Sequence, residues 1–360
     1  MTSEAGTRRI VVGVDTHKLT HHGAVLDADT GKLLAEREFP ATKAGYRQLL
    51  SWVGSHGSVV KAGLEGTGSY GAGLQRHLQA HEVTVIEVSR PNRQERRARG
   101  KSDPIDAINA ARAVLSDAAS STPKRRDGYV EAVRQIRATR RSAVKARRAA
   151  LHQIHALLWC APEELRAKLS RYDRAALVAR CIRLRVPTTG AIDDPTVTAR
   201  RMLRRLAKRI QMLDEEIADA SQELGAILAS HAPNLLAVTG VGTEAAGQIL
   251  TTAGENIDRL KSEASLARLC GVAPIPASSG NTIRHRLHRG GDRDANSSIH
   301  LIVVNRLRWH EPTKCYLARR TQEGKTKKEI IRCLKRAVVR ELYRALQADL
   351  DRPTQALDAA

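Results

Sequence analysis

A run of β-branched residues near the start of the chain fixes the first element of the fold. Residues 10–14 read Ile-Val-Val-Gly-Val, and Asp15 follows them directly. β-Branched side chains favour a pleated, buried strand, and this run has no helical spacing. We therefore predict a central strand that ends on a carboxylate. A single acid after a strand is more often a simple turn residue, so the function of Asp15 depends on the acids downstream.

Three further acids stand at the ends of predicted elements. We predict strands over residues 22–26, 32–39, 58–64 and 83–88, and helices over residues 44–53 and 72–80. Glu65 follows the fourth of the five strands. Pro104 suits the first turn of a helix that runs to Leu115, so Asp103 is the predicted N-cap and Asp106 lies one turn further on the same face.

The positions of these four acids predict a metal site at one edge of a mixed sheet. One acid follows the first strand, one follows the fourth strand, and two lie at the start of a helix. Clustered carboxylates raise each other's pKa values unless a cation lies among them. Oxygen ligands without a His or Cys partner favour Mg²⁺ or Mn²⁺, and two such ions serve phosphodiester cleavage. The predicted metal ligands and catalytic acids are Asp15, Glu65, Asp103 and Asp106.

The charge of the chain points to a polyanionic partner. Lys and Arg number 60 against 38 Asp and Glu, a formal net charge of +22, and nucleic acid is the leading candidate. Aromatic residues are only 3% of the chain, which disfavours a membrane-surface helix with large apolar anchors. Residues 1–7 have no apolar signal core, and five scattered cysteines argue against disulfides or zinc. We expect a bacterial cytoplasmic protein associated with the nucleoid.

Two basic segments are predicted to bind nucleic acid. Residues 89–101 precede the last two acids and are expected to hold the phosphate backbone through Arg93, Arg96, Arg97, Arg99 and Lys101. A long predicted helix over residues 130–158 repeats basic side chains every three or four residues: Arg134, Arg137, Arg141, Lys145 and Arg148. Such a stripe is often only a solvated face, but almost no acids accompany it in sequence, which favours nucleic-acid binding.

A second long helix, predicted over residues 197–230, has an apolar seam with alternating spacings of three and four. The seam comprises Leu203, Leu206, Ile210, Leu213, Ile217, Ala220, Leu224 and Ile227, and predicts a coiled coil. The matching row of the first long helix is interrupted by Arg137, Arg140 and Arg147. The seam can pair with the first long helix inside one chain or across subunits. A perfect match inside one chain is doubtful, so we favour a homo-oligomer, a dimer or a tetramer.

The last third of the chain contains two candidate phosphate sites. Gly240 and Gly242 lie in a turn between helical segments, as in a helix-hairpin-helix, although an ordinary capping turn fits equally well. Ser278 and Ser279 then lie in a Pro/Gly loop, where serines are usually turn formers. The residues that follow include Arg284, Arg286 and Arg289, able to hold a phosphate, and His285 and His288, able to exchange protons with it. Helices are predicted over residues 295–309 and 327–346.

The motifs of both ends of the chain resemble DEDD transposases of the insertion-sequence one-ten family. The segments are Gly-Val-Asp-Thr-His-Lys around Asp15, Glu-Gly-Thr-Gly-Ser-Tyr-Gly from Glu65, Lys-Ser-Asp-Pro-Ile-Asp-Ala around Asp103, and the serine loop with Asp294-Ala295-Asn296. The resemblance implies an α/β RuvC-like domain with an RNase H fold, residues 1–122. A basic helix and coiled coil would follow over residues 123–230, and a mostly helical transposase domain over residues 231–360.

The same resemblance implies a mechanism and a partner. Ser279, just before a glycine, would attack a DNA phosphate and form a phosphoserine link while metal ions on the acids assist, with Ser278 as the rival nucleophile. Acids and serine lie far apart in sequence, so they are expected to meet by domain packing or across subunits. The family also uses a guide RNA encoded by its own element to choose DNA.

Three other functions compete with this prediction. A metal-dependent junction nuclease would use only the four acids and water and would leave no protein–DNA link. An actin-like ATPase or sugar kinase shares a first strand and Gly-rich turns, but the charge of +22 speaks against it. An architectural DNA binder needs no clustered carboxylates, which would only repel DNA.

Overall fold

The structure is a computed structural model that describes residues 8–88, 102–187, 193–280, 285–288 and 290–351. The chain forms two compact units. Unit 1 contains residues 1–126 and the segment Gly254–Lys261, and unit 2 contains residues 127–253 and 262–360. The predicted division into three domains stays a prediction; the helical region and the residues after Ser262 belong to one unit.

Unit 1 is built on a five-stranded mixed sheet. Its strands are β1 (Arg9–Thr16), β2 (Thr20–Asp27), β3 (Leu33–Pro40), β4 (Ser58–Leu64) and β5 (Val85–Glu87), in the order β3-β2-β1-β4-β5. β1 is antiparallel to β2 and parallel to β4, and β4 is parallel to β5. The predicted mixed sheet is confirmed, and it is consistent with an RNase H-like domain.

Helices cover both faces of this sheet, which explains why residues 10–14 of β1 are all apolar. The helices are α1 (Lys43–Gly54), α2 (Ala72–Gln79) and α3 (Asp103–Leu115). Successive side chains of a strand point to opposite faces. Ile10, Val12 and Val14 join a core with residues of α1 and α2, whereas Val11 joins a core with residues of α3.

The start of α3 differs by one residue from the prediction. Ser102 is the N-cap, and its side chain makes no capping hydrogen bond among the described residues. Asp103 is the first helical residue and Pro104 the second. The first turn of a helix tolerates a proline, and it favours an acid because the helix dipole is positive at this end. The prediction that Asp103 is the N-cap was therefore wrong.

Unit 2 is mostly helical. Its elements are α4 (Tyr129–Trp159), α5 (Glu163–Leu169), α6 (Arg174–Ile182), α7 (Pro195–His231), α8 (Pro233–Ala237), α9 (Thr243–Ala253), α10 (Glu263–Leu269), β6 (Pro274–Pro276), β7 (His285–Leu287), α11 (Arg293–Trp309), α12 (Glu311–Gln322) and α13 (Lys327–Leu350). A capping box of Thr326 and Glu329 fixes the start of α13. In the part of the chain described, no helix combines the length and the apolar character needed to cross a bilayer.

The two long helices α4 and α7 pack against each other within one chain. Leu151, Ile154 and Leu158 of α4 share a core with α7. The fully buried row of α7 is Leu203, Ala207, Ile210, Ala220, Leu224 and Leu228. The other predicted seam members, Leu206, Leu213, Ile217 and Ile227, are only half-buried. Pairing inside one chain, one of the two alternatives that the sequence leaves open, is therefore observed, although the predicted seam is not buried along its whole length.

Polar side chains of α7 and α9 meet the arginines that interrupt the apolar row of α4. Arg140 donates to Ser221 Oγ at 2.8 Å and to Glu244 at 2.8 Å. Arg147 forms an ion pair with Asp214. Asp214 and Ser221 continue the same three-and-four spacing that the buried residues of α7 follow. The interruptions in one helix thus face polar positions in the other, and this match is not apparent from the apolar row of either helix alone.

Candidate active site

Two glycines allow α3 to lie directly on the sheet. A Cβ atom on Gly13 of β1 would stand 2.1 Å from the carbonyl oxygen of Ala107 and 2.3 Å from the nitrogen of Ala111. A Cβ atom on Gly63 of β4 would stand 2.8 Å from the carbonyl oxygen of Ala110. Because neither glycine has a side chain, the helix that begins at Asp103 approaches the backbone of β1 closely.

This packing brings Asp15 of β1 and Asp103 of α3 together with a histidine that the sequence analysis gave no role. His17 Nδ1 lies 3.6 Å from Asp15 Oδ2 and 3.9 Å from Asp103 Oδ2. One ligand atom from each of the three residues lies within 4.8 Å of the other two. The assumption that no histidine accompanies the acids was wrong. The available signal was its spacing, because residues two apart in an extended segment share one side.

Asp15 is the most constrained member of this group. It is 6% exposed, and Oδ2 has no hydrogen-bond partner among the described residues. Burial raises the pKa of Asp15, the charge of His17 in its protonated form lowers that pKa, and the nearby carboxylates of Asp106 and Asp103 raise it. A divalent cation would relieve both the burial and the repulsion of the ionised form. The donors present therefore fit such an ion.

Asp106 and Glu65 flank the group without belonging to it. Asp106 is 1% exposed and near enough to Asp15 to affect its pKa. The backbone N–H of Glu65 donates to the carbonyl oxygen of Val14 at 3.1 Å, and Thr16 Oγ1 donates to the carbonyl oxygen of Glu65 at 2.9 Å. Among the described residues, the close group of ligand atoms contains two of the four predicted acids, Asp15 and Asp103.

The predicted serine nucleophiles lie at the end of a short hairpin in unit 2. β6 pairs with β7, with Pro276 opposite His285, and Ser278 and Ser279 are exposed in the loop after β6. Gly280 adopts a left-handed φ of +53° directly after Ser279. A glycine adopts this conformation without strain, so the loop turns immediately beyond the serine.

Only some of the basic residues predicted to hold a phosphate near the serines lie within the described residues. Arg286 on β7 is exposed, whereas Arg284 and Arg289 lie outside the described residues. His285 is exposed. His288 Nδ1 lies 3.1 Å from the carbonyl oxygen of Arg268, so this nitrogen is engaged with the backbone. A cavity of about 1010 Å³ adjoins the hairpin, and its lining includes Arg286, Lys325, Arg332 and Lys335.

Three of the five arginine and lysine residues predicted to form a stripe on α4 have acidic partners. Arg134 donates to Glu131 at 2.8 Å, and Arg141 donates to Asp294 at 2.7 Å. Arg137 is 6% exposed, donates to Gln248 at 2.8 Å and lies 3.6 Å from Glu244. The assumption that the stripe has almost no acids to pair with was therefore wrong, and Arg137 is a buried packing residue.

The remaining predicted nucleic-acid contacts have mixed outcomes. Lys145 and Arg148 of α4 are exposed. The basic segment with Arg93, Arg96, Arg97, Arg99 and Lys101 lies outside the described residues. Its role therefore stays a prediction.

A buried arginine, Arg306, packs against the turn between α8 and α9, and its role was not predicted from the sequence. Gly240 has a φ of +77°, and Arg306 packs against it. Arg306 is 4% exposed; its Nε donates to the carbonyl oxygen of Thr239 at 2.8 Å, and its guanidinium pairs with Glu341 at 2.7 Å. Gly242 is exposed. Phosphate binding by this turn stays a prediction.

Comparison with known proteins identifies the family. Residues 12–160 match the DEDD transposase model of IS110, and residues 232–318 match the model described as transposase IS116/IS110/IS902 family. The chain is also 27% identical over 146 residues to the insertion element IS900 uncharacterized 42 kDa protein of Mycobacterium paratuberculosis. That match covers 40% of this chain and 37% of the relative's length. The two family matches lie on the acid-bearing and serine-bearing parts described above, and the chain belongs to the IS110 family of transposases.

Proposed function

We propose that this protein is a DNA transposase that cuts and rejoins the DNA of an insertion sequence. The observation that supports this most directly is the buried Oδ2 of Asp15, without a hydrogen-bond partner among the described residues and close to Asp103 and His17. The net charge of +22 attracts a polyanion such as DNA, which favours a nucleic-acid substrate over a small neutral one.

The proposed cofactor is Mg²⁺ or Mn²⁺. Asp15 and Asp103 would hold it, with Glu65 and Asp106 as the further acids of the predicted set. When bound, a divalent ion activates an attacking oxygen and stabilises the leaving oxygen of a phosphodiester. The burial of Asp15 and Asp106 serves this role because both carboxylates are kept from bulk water.

The proposed nucleophile is the hydroxyl of Ser279. Its Oγ would lose its proton and form a bond to phosphorus, while the ester bond between phosphorus and one strand end breaks and the released strand oxygen takes up a proton. The phosphoserine ester keeps the bond energy needed to rejoin strands without another energy source. The exposure of Ser279, its position before Gly280 and the exposed Arg286 of the same hairpin support this assignment.

The proposed partners are the DNA of the element ends and target, an RNA encoded by the element, and further copies of the chain. The exposed Lys145 and Arg148 and the cationic cavity beside the β6–β7 hairpin offer surfaces for phosphate. We also propose that α4 and α7 form a coiled coil and that the turn between α8 and α9 binds phosphate. The protein is further proposed to be a homo-oligomer that acts at the nucleoid in the bacterial cytoplasm.

The experiment that tests the nucleophile traps the covalent link. Wild-type protein is incubated with labelled DNA and guide RNA in Mg²⁺, quenched in denaturant and run on a denaturing gel. We expect labelled DNA to migrate with the protein, the adduct to vanish in Ser279→Ala, and Ser278→Ala only to reduce it. Loss in Ser278→Ala alone moves the nucleophile by one residue.

The same gel decides between the transposase and the alternative, a RuvC-like junction nuclease that uses water. That alternative is favoured by one observation, because the group of Asp15, His17 and Asp103 lies entirely in unit 1 and needs no serine. DNA cut by the wild-type protein without any adduct would establish the nuclease.

A further inference from the structure

The position of His17 is not explained by a direct bond to the acids that surround it. Its Nδ1 lies 3.6 Å from Asp15 Oδ2 and 3.9 Å from Asp103 Oδ2. Hydrogen bonds between nitrogen and oxygen have lengths of roughly 2.7–3.2 Å. The imidazole nitrogen therefore faces two carboxylate oxygens across gaps that are too long for hydrogen bonds.

These gaps match the spacing of atoms that share one metal ion. Ligands bonded at about 2.1 Å stand about 3.0 Å apart at right angles and about 4.2 Å apart on opposite sides of an octahedral ion. The two distances from His17 Nδ1 fall between these limits. The three donor atoms therefore need only small side-chain adjustments to bind the same ion.

A second observation independently indicates a ligand at this point. The Asp15 side chain is 9% exposed, and its Oδ2 has no hydrogen-bond partner among the described residues. Burying a carboxylate oxygen without a partner destabilises the fold unless a cation or a hydrogen-bond donor binds that oxygen. The His17 side chain is 43% exposed, so one side of the group is open to solvent and an ion can reach it.

We propose that His17 Nδ1 binds the divalent ion directly, together with Asp15 Oδ2 and Asp103 Oδ2, and that this mixed nitrogen and oxygen set selects Mn²⁺ over Mg²⁺. Imidazole suits transition metals, whereas Mg²⁺ prefers oxygen ligands. The inference rests on the proposed metal site and adds a selectivity that four carboxylates alone do not provide. It also distinguishes this chain's site from an all-oxygen centre.

The test is nitrogen-sensitive pulsed electron paramagnetic resonance of the full-length protein loaded with Mn²⁺. We expect the ¹⁴N modulation of a directly bound imidazole in the wild-type protein and its loss in His17→Gln. The control is His56→Gln, because His56 precedes β4 and lies at the end of that strand remote from Glu65. This variant should keep the wild-type modulation.

Titration calorimetry gives the second measurement. His17→Gln should weaken Mn²⁺ binding by a factor on the order of ten while changing Mg²⁺ binding by about threefold or less. His17→Asp returns an oxygen ligand, and should restore metal binding without nitrogen modulation and shift the preference towards Mg²⁺. This variant also shows that the loss in His17→Gln does not come from misfolding.

The outcomes separate this inference from the proposed function. Mn²⁺ bound by the wild-type protein without nitrogen modulation, or modulation that persists in His17→Gln, overturns the ligand role of His17 and leaves the acidic metal site standing. Failure of the wild-type protein to bind either ion overturns the metal site itself and the role of His17 with it.

Discussion

Gly13 and Gly63 are register partners on the parallel strands β1 and β4, and α3 lies against both of them. Each strand leads towards one predicted acid, Asp15 or Glu65, while α3 supplies Asp103 and Asp106. The missing side chains of the glycine pair therefore set the distance between the strand-borne and helix-borne acids. This relationship makes the site sensitive to changes that introduce no charge.

Gly13→Ala should destabilise unit 1 by about 3 kcal/mol, because the new Cβ would overlap the backbone of Ala107 and force α3 away. Urea unfolding can be followed by Trp52 fluorescence after the exposed Trp159 and Trp309 are replaced by Phe. Gly54→Ala is the control, since nothing lies within 4 Å of that position. Equal unfolding midpoints for the two variants would contradict the close approach of α3.

Asp15→Asn and Asp106→Asn should each abolish DNA strand cleavage. Each change removes a proposed metal ligand and also some repulsion of phosphate, so DNA and RNA affinity should remain equal or rise slightly. Asp117→Asn is the control, because Asp117 is exposed and pairs with Lys61. Cleavage at the wild-type rate in Mg²⁺ by either site variant would remove that acid from the metal site.

Ile210→Ala should lower the free energy of unfolding by about 2–4 kcal/mol, because Ile210 is fully buried between α7 and α4. Met212→Ala on the same helix should change it by less than about 0.5 kcal/mol, since Met212 is 68% exposed. Both are measured by urea denaturation at two protein concentrations. A midpoint that rises with concentration would show that subunit contacts also stabilise the fold.

Arg148→Ala and Arg137→Met should affect different properties. Arg148 is exposed, so its loss should weaken nucleic-acid binding and reduce the slope of log affinity against log salt by about one. Arg137 is buried against Gln248 and Glu244, so its replacement should lower stability instead. Filter binding at several salt concentrations, with thermal melting of each variant, distinguishes the two effects. The reverse pattern would restore Arg137 as a nucleic-acid contact.

The cysteines should react with a thiol reagent in two classes at pH 8. Cys160, Cys315 and Cys333 are exposed and should react in the folded protein, whereas the buried Cys181 and Cys270 should react only after unfolding. Burial raises the pKa of Cys181 from 9.0 to about 11. Because the folded-state pKa is the higher one, the contribution of the neutral thiol to stability is complete below about pH 9 and is lost as the pH rises through 11. Compared with the wild-type protein, Cys181→Ala should lose less stability over that interval; an equal loss would contradict the pKa shift.

Local sequence patterns predicted the elements well but not the long-range pairing of charges. The β-branched run of β1 and the proline at the start of α3 act over a few residues, so their positions could be derived from sequence. The partners Arg141 and Asp294 are separated by 153 residues, and Arg140 and Glu244 by 104. No local rule connects such pairs, and a stripe that looks unpaired in sequence can be neutralised in the fold. His17 escaped notice for a related reason. Its spacing of two from Asp15 indicates a shared side of the strand, but its second acidic neighbour, Asp103, comes from α3, which is distant in sequence.

The segment Gly254–Lys261 belongs to unit 1 although more than a hundred residues of unit 2 separate it from Arg126. Asn256 accepts a hydrogen bond from the backbone N–H of Arg125 at 3.1 Å and donates one to the carbonyl oxygen of Pro123 at 3.0 Å. A recombinant fragment that stops at Arg126 would therefore lack a piece of its own domain. The chain passes from one unit to the other at three points, after Arg126, Ala253 and Lys261, so a domain exchange between relatives needs three crossover points rather than one.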